Sequence, residues 1–129
     1  MSTTILVIDD DWINRELMEA VLGTVGYRVL LANDSVSAFN VAQAERPALI
    51  LIDVRLSYPT EGYDLCRQFR QESSTAGSKL VMLTAMESPE DRLRASEAGA
   101  DGYLSRMLDM SEILRRIEEF LTNKPGSVF

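Results

Sequence analysis

Ala48-Leu49-Ile50-Leu51-Ile52-Asp53 sets an unbroken apolar run against a carboxylate. A strand with one wet face alternates apolar and polar side chains, whereas a run that is apolar throughout must be covered on both faces. Such strands belong to parallel sheets with helices packed on either side. Pro47, just ahead of the run, ends any helix that leads into it. On this reading Asp53 closes a central strand.

Working outward, strand-length and helix-length stretches alternate along the chain. Ile5-Leu6-Val7-Ile8 reads as the first strand, and Ile13, Leu17, Val21 and Leu22 then recur at helical spacing, with Gly23 and Gly26 closing that helix. Tyr27 to Leu31 reads as the second strand. Asp34 or Ser35 can cap a helix carrying Val36, Phe39 and Ala42. After Asp53 comes a loop, then a third helix whose buried side is marked by Leu65, Cys66 and Phe69. Lys79 to Leu83 reads as the fourth strand. Ser88-Pro89-Glu90-Asp91 is a helix start: a cap, a proline in the first turn and acids facing the helix dipole. That fourth helix has few apolar anchors, chiefly Leu93, Ala95 and Ala98, and Gly99 stops it. Gly102 to Ser105 is a short fifth strand, followed by a helical stripe of Met110, Ile113, Leu114, Ile117 and Leu121. Five βα units with short connections predict an α/β, doubly wound, mostly parallel five-stranded sheet with helices on both faces. One domain over residues 1–122 is expected, with 123–129 a tail or the stub of a linker.

Composition narrows the chemistry. The 129 residues include one cysteine, Cys66, and no histidine. An intramolecular disulfide, a multi-cysteine zinc site and histidine-based catalysis are thereby excluded. A net charge of −7 argues against direct nucleic-acid binding, which draws its affinity from Lys and Arg on phosphates. No apolar run approaches the ~18–20 residues that span a bilayer, and the uncharged first eight residues lack the basic start of a signal peptide. A cytoplasmic protein is expected.

In open α/β sheets ligands bind beyond the carboxyl ends of the strands. Reactive residues stand at those ends here: Asp9, Asp10 and Asp11 after strand one, Asp53 at strand three, Thr84 at strand four and Arg106 after strand five. Alone, each has an ordinary reading as a cap, a turn residue or a surface cation. Together they open onto one crevice. Carboxylates that share a crevice repel, by about 4 kcal/mol for a pair at ~4 Å and an effective dielectric near 20. Protonation or a cation must relieve this. A hard divalent ion with oxygen ligands suits the site, and Mg²⁺ takes one or two carboxylates while keeping waters and a phosphate oxygen. A carboxylate such as Asp53 can then act as a nucleophile toward phosphorus.

The motifs Ile5-Leu-Val-Ile-Asp-Asp10, Leu49-Ile-Leu-Ile-Asp53, Leu83-Thr-Ala85 and Gly99-Ala-Asp-Gly-Tyr-Leu-Ser105 resemble, in order and spacing, those of the response-regulator receiver family. The resemblance covers nearly all of the chain. It implies the flavodoxin-like strand order 2-1-3-4-5 and a phosphoacceptor role for Asp53. It also implies a Mg²⁺ site in which Asp10 is a direct ligand, Asp9 acts mainly through water and the Arg55 carbonyl adds a further ligand. Thr84 would hydrogen-bond the phosphoryl group and Tyr103 would be the switch aromatic. The implied partner is a sensor histidine kinase or phosphotransfer protein, with the fourth helix, fifth strand and fifth helix as a partner or homodimer face.

Three departures stand out. Arg106-Met107 replaces the family's Lys-Pro, so a trans bond and a rearranged loop are expected, since a cis bond without proline costs ~2.5–4 kcal/mol. Ser57 stands where proline is common, and Gly62 lies one residue later than usual, which suggests an insertion around 57–61. Arg55 and Met86 flank the route of an attacking water. A degenerate receiver that binds partners without phosphorylation is the alternative. A haloacid-dehalogenase-type phosphatase fits less well, because Ile13 fills that family's threonine position after Asp9 and Asp11. A flavodoxin-like cofactor binder would need a Ser/Thr/Gly-rich phosphate loop after strand one.

Overall fold

The computed structural model describes residues 2–85 and 88–122. Among these, the elements run β1 (Thr4–Ile8), α1 (Trp12–Thr24), β2 (Arg28–Ala32), α2 (Ser35–Glu45), β3 (Leu49–Asp53), α3 (Glu61–Gln71), β4 (Lys79–Thr84), α4 (Pro89–Glu97), β5 (Gly102–Ser105) and α5 (Met110–Thr122). Met86 and the 123–129 tail lie outside the described residues.

The five strands form one sheet in the order β2-β1-β3-β4-β5, every pairing parallel. The order reverses between β1 and β3, and there the carboxyl ends diverge to leave a crevice. β3 is buried at all five positions, whereas β2, at the edge, is buried only at Ala32. Alternation along the strands divides the core. Ile50, Ile52, Leu80 and Met82 pack with α2, α3 and α4, while Leu49, Leu51, Val81, Leu83 and Leu104 pack with α1 and α5.

Local chemistry sets the helix ends. Asp11 caps α1 by accepting the Ile13 N–H at 2.9 Å. Ser88 and Asp91 form a reciprocal capping box at the start of α4, with Pro89 in the first turn. Gly26 and Gly99 both take positive φ after α1 and α4, a conformation open to glycine.

Four apolar side chains depart from the helical readings. Ile13 and Leu17 are exposed, and the buried face of α1 is Met18 and Leu22. Val36 is exposed too, with Ala38 and Ala42 turned inward instead. Leu93 is 59% exposed, because it sits two residues, about 200° of helical rotation, from buried Ala95. The apolar hold on α4 is thus reduced to Ala95 and Ala98. Gly23 lies inside α1 instead of ending it. In α5, Phe120 is buried alongside Ile113 and Ile117, while Leu121 is only partly covered. Phe120 fills space above β5 that Gly102 leaves open: a Cβ there would meet the ring at 2.0 Å.

Candidate functional site

The ends of β1, β3, β4 and β5 each deliver one side chain or more to the crevice, a cavity of about 400 Å³. Asp9, Asp10, Asp53, Arg55, Thr84 and Arg106 all line it, so six of the seven site residues expected from sequence come together. Tyr103 does not. It lies 8% exposed in the layer under α4, on the side of the sheet that holds Ala95 and Ala98. Strand register explains both placements. Thr84 pairs with Ser105 and Met82 with Tyr103, so Tyr103 sits one alternation below the rim.

Carboxylate oxygens of Asp9, Asp10 and Asp53 lie within 4.8 Å of one another. Asp9 is 3% exposed and Asp53 8%, while Asp10 is open to solvent. The repulsion expected among them is met by Arg106. Its Nη2 donates to Asp9 Oδ2 at 2.6 Å and sits 3.1 Å from Asp53 Oδ2. Arg106 is held charged by these two acids against the cost of its own burial. Burial pushes the Asp53 carboxyl up to about 6; Arg106 pulls it down, and Asp9 and Asp10 push it further up. At neutral pH Asp53 is therefore mainly ionised.

Asp9 has both oxygens engaged. Oδ1 accepts the Asp11 N–H at 3.0 Å and Oδ2 accepts Arg106. Its carbonyl accepts Arg15 Nη1 at 2.8 Å. Asp53 Oδ1 accepts the Arg55 N–H at 3.2 Å. The acidic donors around the cavity are oxygens, with the solvent-open Asp10 beside Asp9 and Asp53, which already meet Arg106 and backbone N–H groups; such a set fits a hard, water-retaining cation such as Mg²⁺.

The turn after β5 holds Arg106 in place without proline. Among the described residues there is no cis peptide bond, and the Met107 N–H donates to Ser105 Oγ at 3.0 Å. The Arg106 N–H donates to the Thr84 carbonyl at 2.9 Å, which extends the β4–β5 pairing by one residue. The expected trans bond is what the structure has.

On the other side of the crevice, Gly62 lets α3 lean on the backbone of Asp53. A Cβ at Gly62 would fall 2.2 Å from the Asp53 carbonyl oxygen and 2.7 Å from Val54 Cα. Three features went unread in the sequence. Asn14 also lines the cavity. Glu61 binds Ser57 and Ser35. Arg70 reaches from α3 to the Gly99 carbonyl and the Asp101 carboxylate. A Ser-x₃-Glu spacing at 57–61 was the one local signal for the second; nothing local announces the third.

Comparison with known proteins agrees with this geometry. A family model described as "Response regulator receiver domain" matches residues 5–118. The response regulator MprA of Mycobacterium tuberculosis is 36% identical over 121 residues, 94% of this chain and 51% of the relative. The chain spans about half the length of the curated relatives it matches. Among solved structures, the Vibrio cholerae chemotaxis protein CheY4 superposes with a TM-score of 0.87 at 27% identity, over 93% of this chain and 99% of that one. The BeF3-activated N-terminal receiver domain of Klebsiella pneumoniae RstA superposes at 0.83 and 27% identity, over 94% of this chain and 100% of that one. With the sheet order, the convergent acids and the match over the body of the chain in agreement, the protein belongs to the response regulator receiver family, the signalling modules of two-component systems.

Proposed function

We propose that this receiver accepts a phosphoryl group on Asp53 in a Mg²⁺-dependent reaction and passes the change to a partner surface. The observation that carries the reading is the convergence of Asp9, Asp10 and Asp53 within 4.8 Å beside a cation that bridges two of them. The donor would be a phosphohistidine of a sensor kinase or phosphotransfer protein. An Asp53 carboxylate oxygen attacks phosphorus, the P–N bond breaks, and its electron pair leaves on the imidazole nitrogen. Asp10, Asp53 and the Arg55 carbonyl would hold Mg²⁺ directly, with Asp9 acting mainly through water. When bound, Mg²⁺ supplies positive charge between the carboxylates and the transferring phosphoryl oxygens.

The chain's own residues supply the rest. Arg106 counters charge on the acceptor and its product. The Thr84 hydroxyl, at the end of β4, donates to the phosphoryl group. Tyr103 reports the event as the aromatic beneath α4. The buried apolar side chains of that helix are two alanines, Ala95 and Ala98, and so small an apolar hold suits an element whose position phosphorylation biases. The face of α4, β5 and α5 is the partner or homodimer surface in this reading. The unit that acts is residues 1–122, in the cytoplasm.

Beryllofluoride, the ligand named for the RstA receiver, provides the test. With Mg²⁺ present it should bind the protein and alter Trp12 fluorescence, Trp12 being 60% exposed next to the acidic run. Asp53→Asn should abolish the response. Binding unchanged by that substitution would remove the acceptor assignment. Hydrogen exchange over α4 should change with the mimic bound; identical protection would remove the switch.

A further inference from the structure

We infer that Glu61 is a positioning residue for the metal site, holding the β3–α3 loop in the shape that presents the Arg55 carbonyl. This rests on the Mg²⁺ reading above. Residues 54–60 form a loop that starts and ends against the acceptor. The Gly62 N–H donates to the Val54 carbonyl at 2.9 Å, closing the loop at its neck. Glu61, the residue before, reaches back across it. Its Oε1 accepts the Ser57 N–H at 2.8 Å and the Ser57 hydroxyl, and its Oε2 accepts the hydroxyl of Ser35 at the start of α2. The Glu61 N–H itself donates to the Tyr58 carbonyl at 3.2 Å.

Ser57 is where the family pattern places proline, a residue that stiffens a loop by fixing φ. Here that position has no such lock. One carboxylate replaces it, and it does so from a residue whose neighbour, Gly62, is pressed against the Asp53 backbone. Burial alone would raise the Glu61 pKa, but the hydrogen bonds from Ser35 and Ser57 outweigh it and hold the carboxyl below its usual range. The clamp therefore stays charged through neutral pH. Arg55 lies between the closed neck and the clamped Ser57, so the backbone that carries its carbonyl is restrained from both sides.

The test is a Mg²⁺ titration followed by Trp12 fluorescence and by calorimetry on wild type, Glu61→Ala, Glu61→Gln and Ser35→Ala. Residues that orient metal ligands typically cost 10–100-fold in affinity when removed. Glu61→Ala is expected to weaken Mg²⁺ binding by about tenfold or more and to raise hydrogen exchange at 55–60 in the metal-free protein. Glu61→Gln keeps an acceptor for Ser57 and should recover most of the affinity, and Ser35→Ala should show a smaller loss. Titration curves of wild type and Glu61→Ala that superimpose, with Glu61→Ala folded by circular dichroism, would overturn the inference. A lowered melting temperature with unchanged affinity would also overturn it, because it assigns Glu61 a structural role alone. If wild type itself binds no Mg²⁺, the parent reading fails instead, and the two failures are told apart.

Discussion

Replacing Asp53 by asparagine should make the metal-free protein more stable, and the gain should depend on pH in a defined way. Asp53 is 8% exposed and its carboxyl is carried from an ordinary 3.8 to about 6, chiefly by burial. At 1.36 kcal/mol per tenfold change in proton affinity, that corresponds to about 3 kcal/mol against the ionised folded form at neutral pH. The folded acid holds its proton more tightly than the unfolded one. Its favourable contribution is therefore complete below the unfolded value and is lost as pH rises through 6. Asp53→Asn removes the charge and leaves the 2.6 Å Arg106–Asp9 pair in place. Urea unfolding at pH 7.5 without divalent ions should show the variant more stable by about 1–3 kcal/mol, a midpoint shift of roughly 1 M. The gain should fall to about half by pH 5 and nearly vanish near pH 4. Millimolar Mg²⁺ should then stabilise wild type and not the variant. A variant no more stable than wild type at pH 7.5, or a gain equal at all three pH values, would refute the reasoning.

Three further perturbations follow from the same geometry. Gly62→Ala forces a Cβ to 2.2 Å from backbone at Asp53; it should destabilise the fold by about 2 kcal/mol or more, read by urea unfolding. Arg70→Met leaves the Asp101 carboxylate, whose side chain is 10% exposed, and the Gly99 carbonyl without their cation. The expected cost is about 2–4 kcal/mol in thermal or chemical unfolding, whereas Arg67→Met, on an exposed pair, should cost under about 1 kcal/mol. Arg106→Met removes the charge that bridges Asp9 and Asp53. The metal-free melting temperature should fall while the rise produced by Mg²⁺ grows, since the ion then meets acids with no internal counter-ion; equal Mg²⁺ responses in the two proteins would count against competition between them.

The fold was legible where burial leaves no choice. The run from Ala48 to Ile52 can only be a doubly covered strand, and the strand-end positions of Asp9, Asp53, Thr84 and Arg106 follow from the topology that strand implies. Helix faces were less legible. Apolar spacing gives a period but not the rotation of the helix about its axis, so Ile13 and Leu17 looked as inward as Leu22, and Met18, which is buried beside it, was passed over. Leu93 and Val36 misled for a related reason: small alanines two residues away carry the contact, and a small side chain gives a weak signal. The bridge from Arg106 to two acids was foreseen as a charge but not as a geometry, because it depends on a turn held by Ser105 and Met107. Arg70 and Asp101, 31 residues apart, pair across the fold, and no local pattern encodes such a contact.

The contacts of α3 have a consequence for how far a local change travels. This helix rests on the backbone of residue 53 through Gly62. It is tied to α2 through Glu61 and Ser35. It meets both ends of α4, through the Tyr63 hydroxyl on the Asp91 carbonyl and through Arg70 on Gly99. It acts as a crossbeam. Three helices on one side of the sheet are braced together and share a single footing at Asp53, whereas α1 and α5, on the opposite side, are joined to the sheet by apolar packing and stand outside the brace.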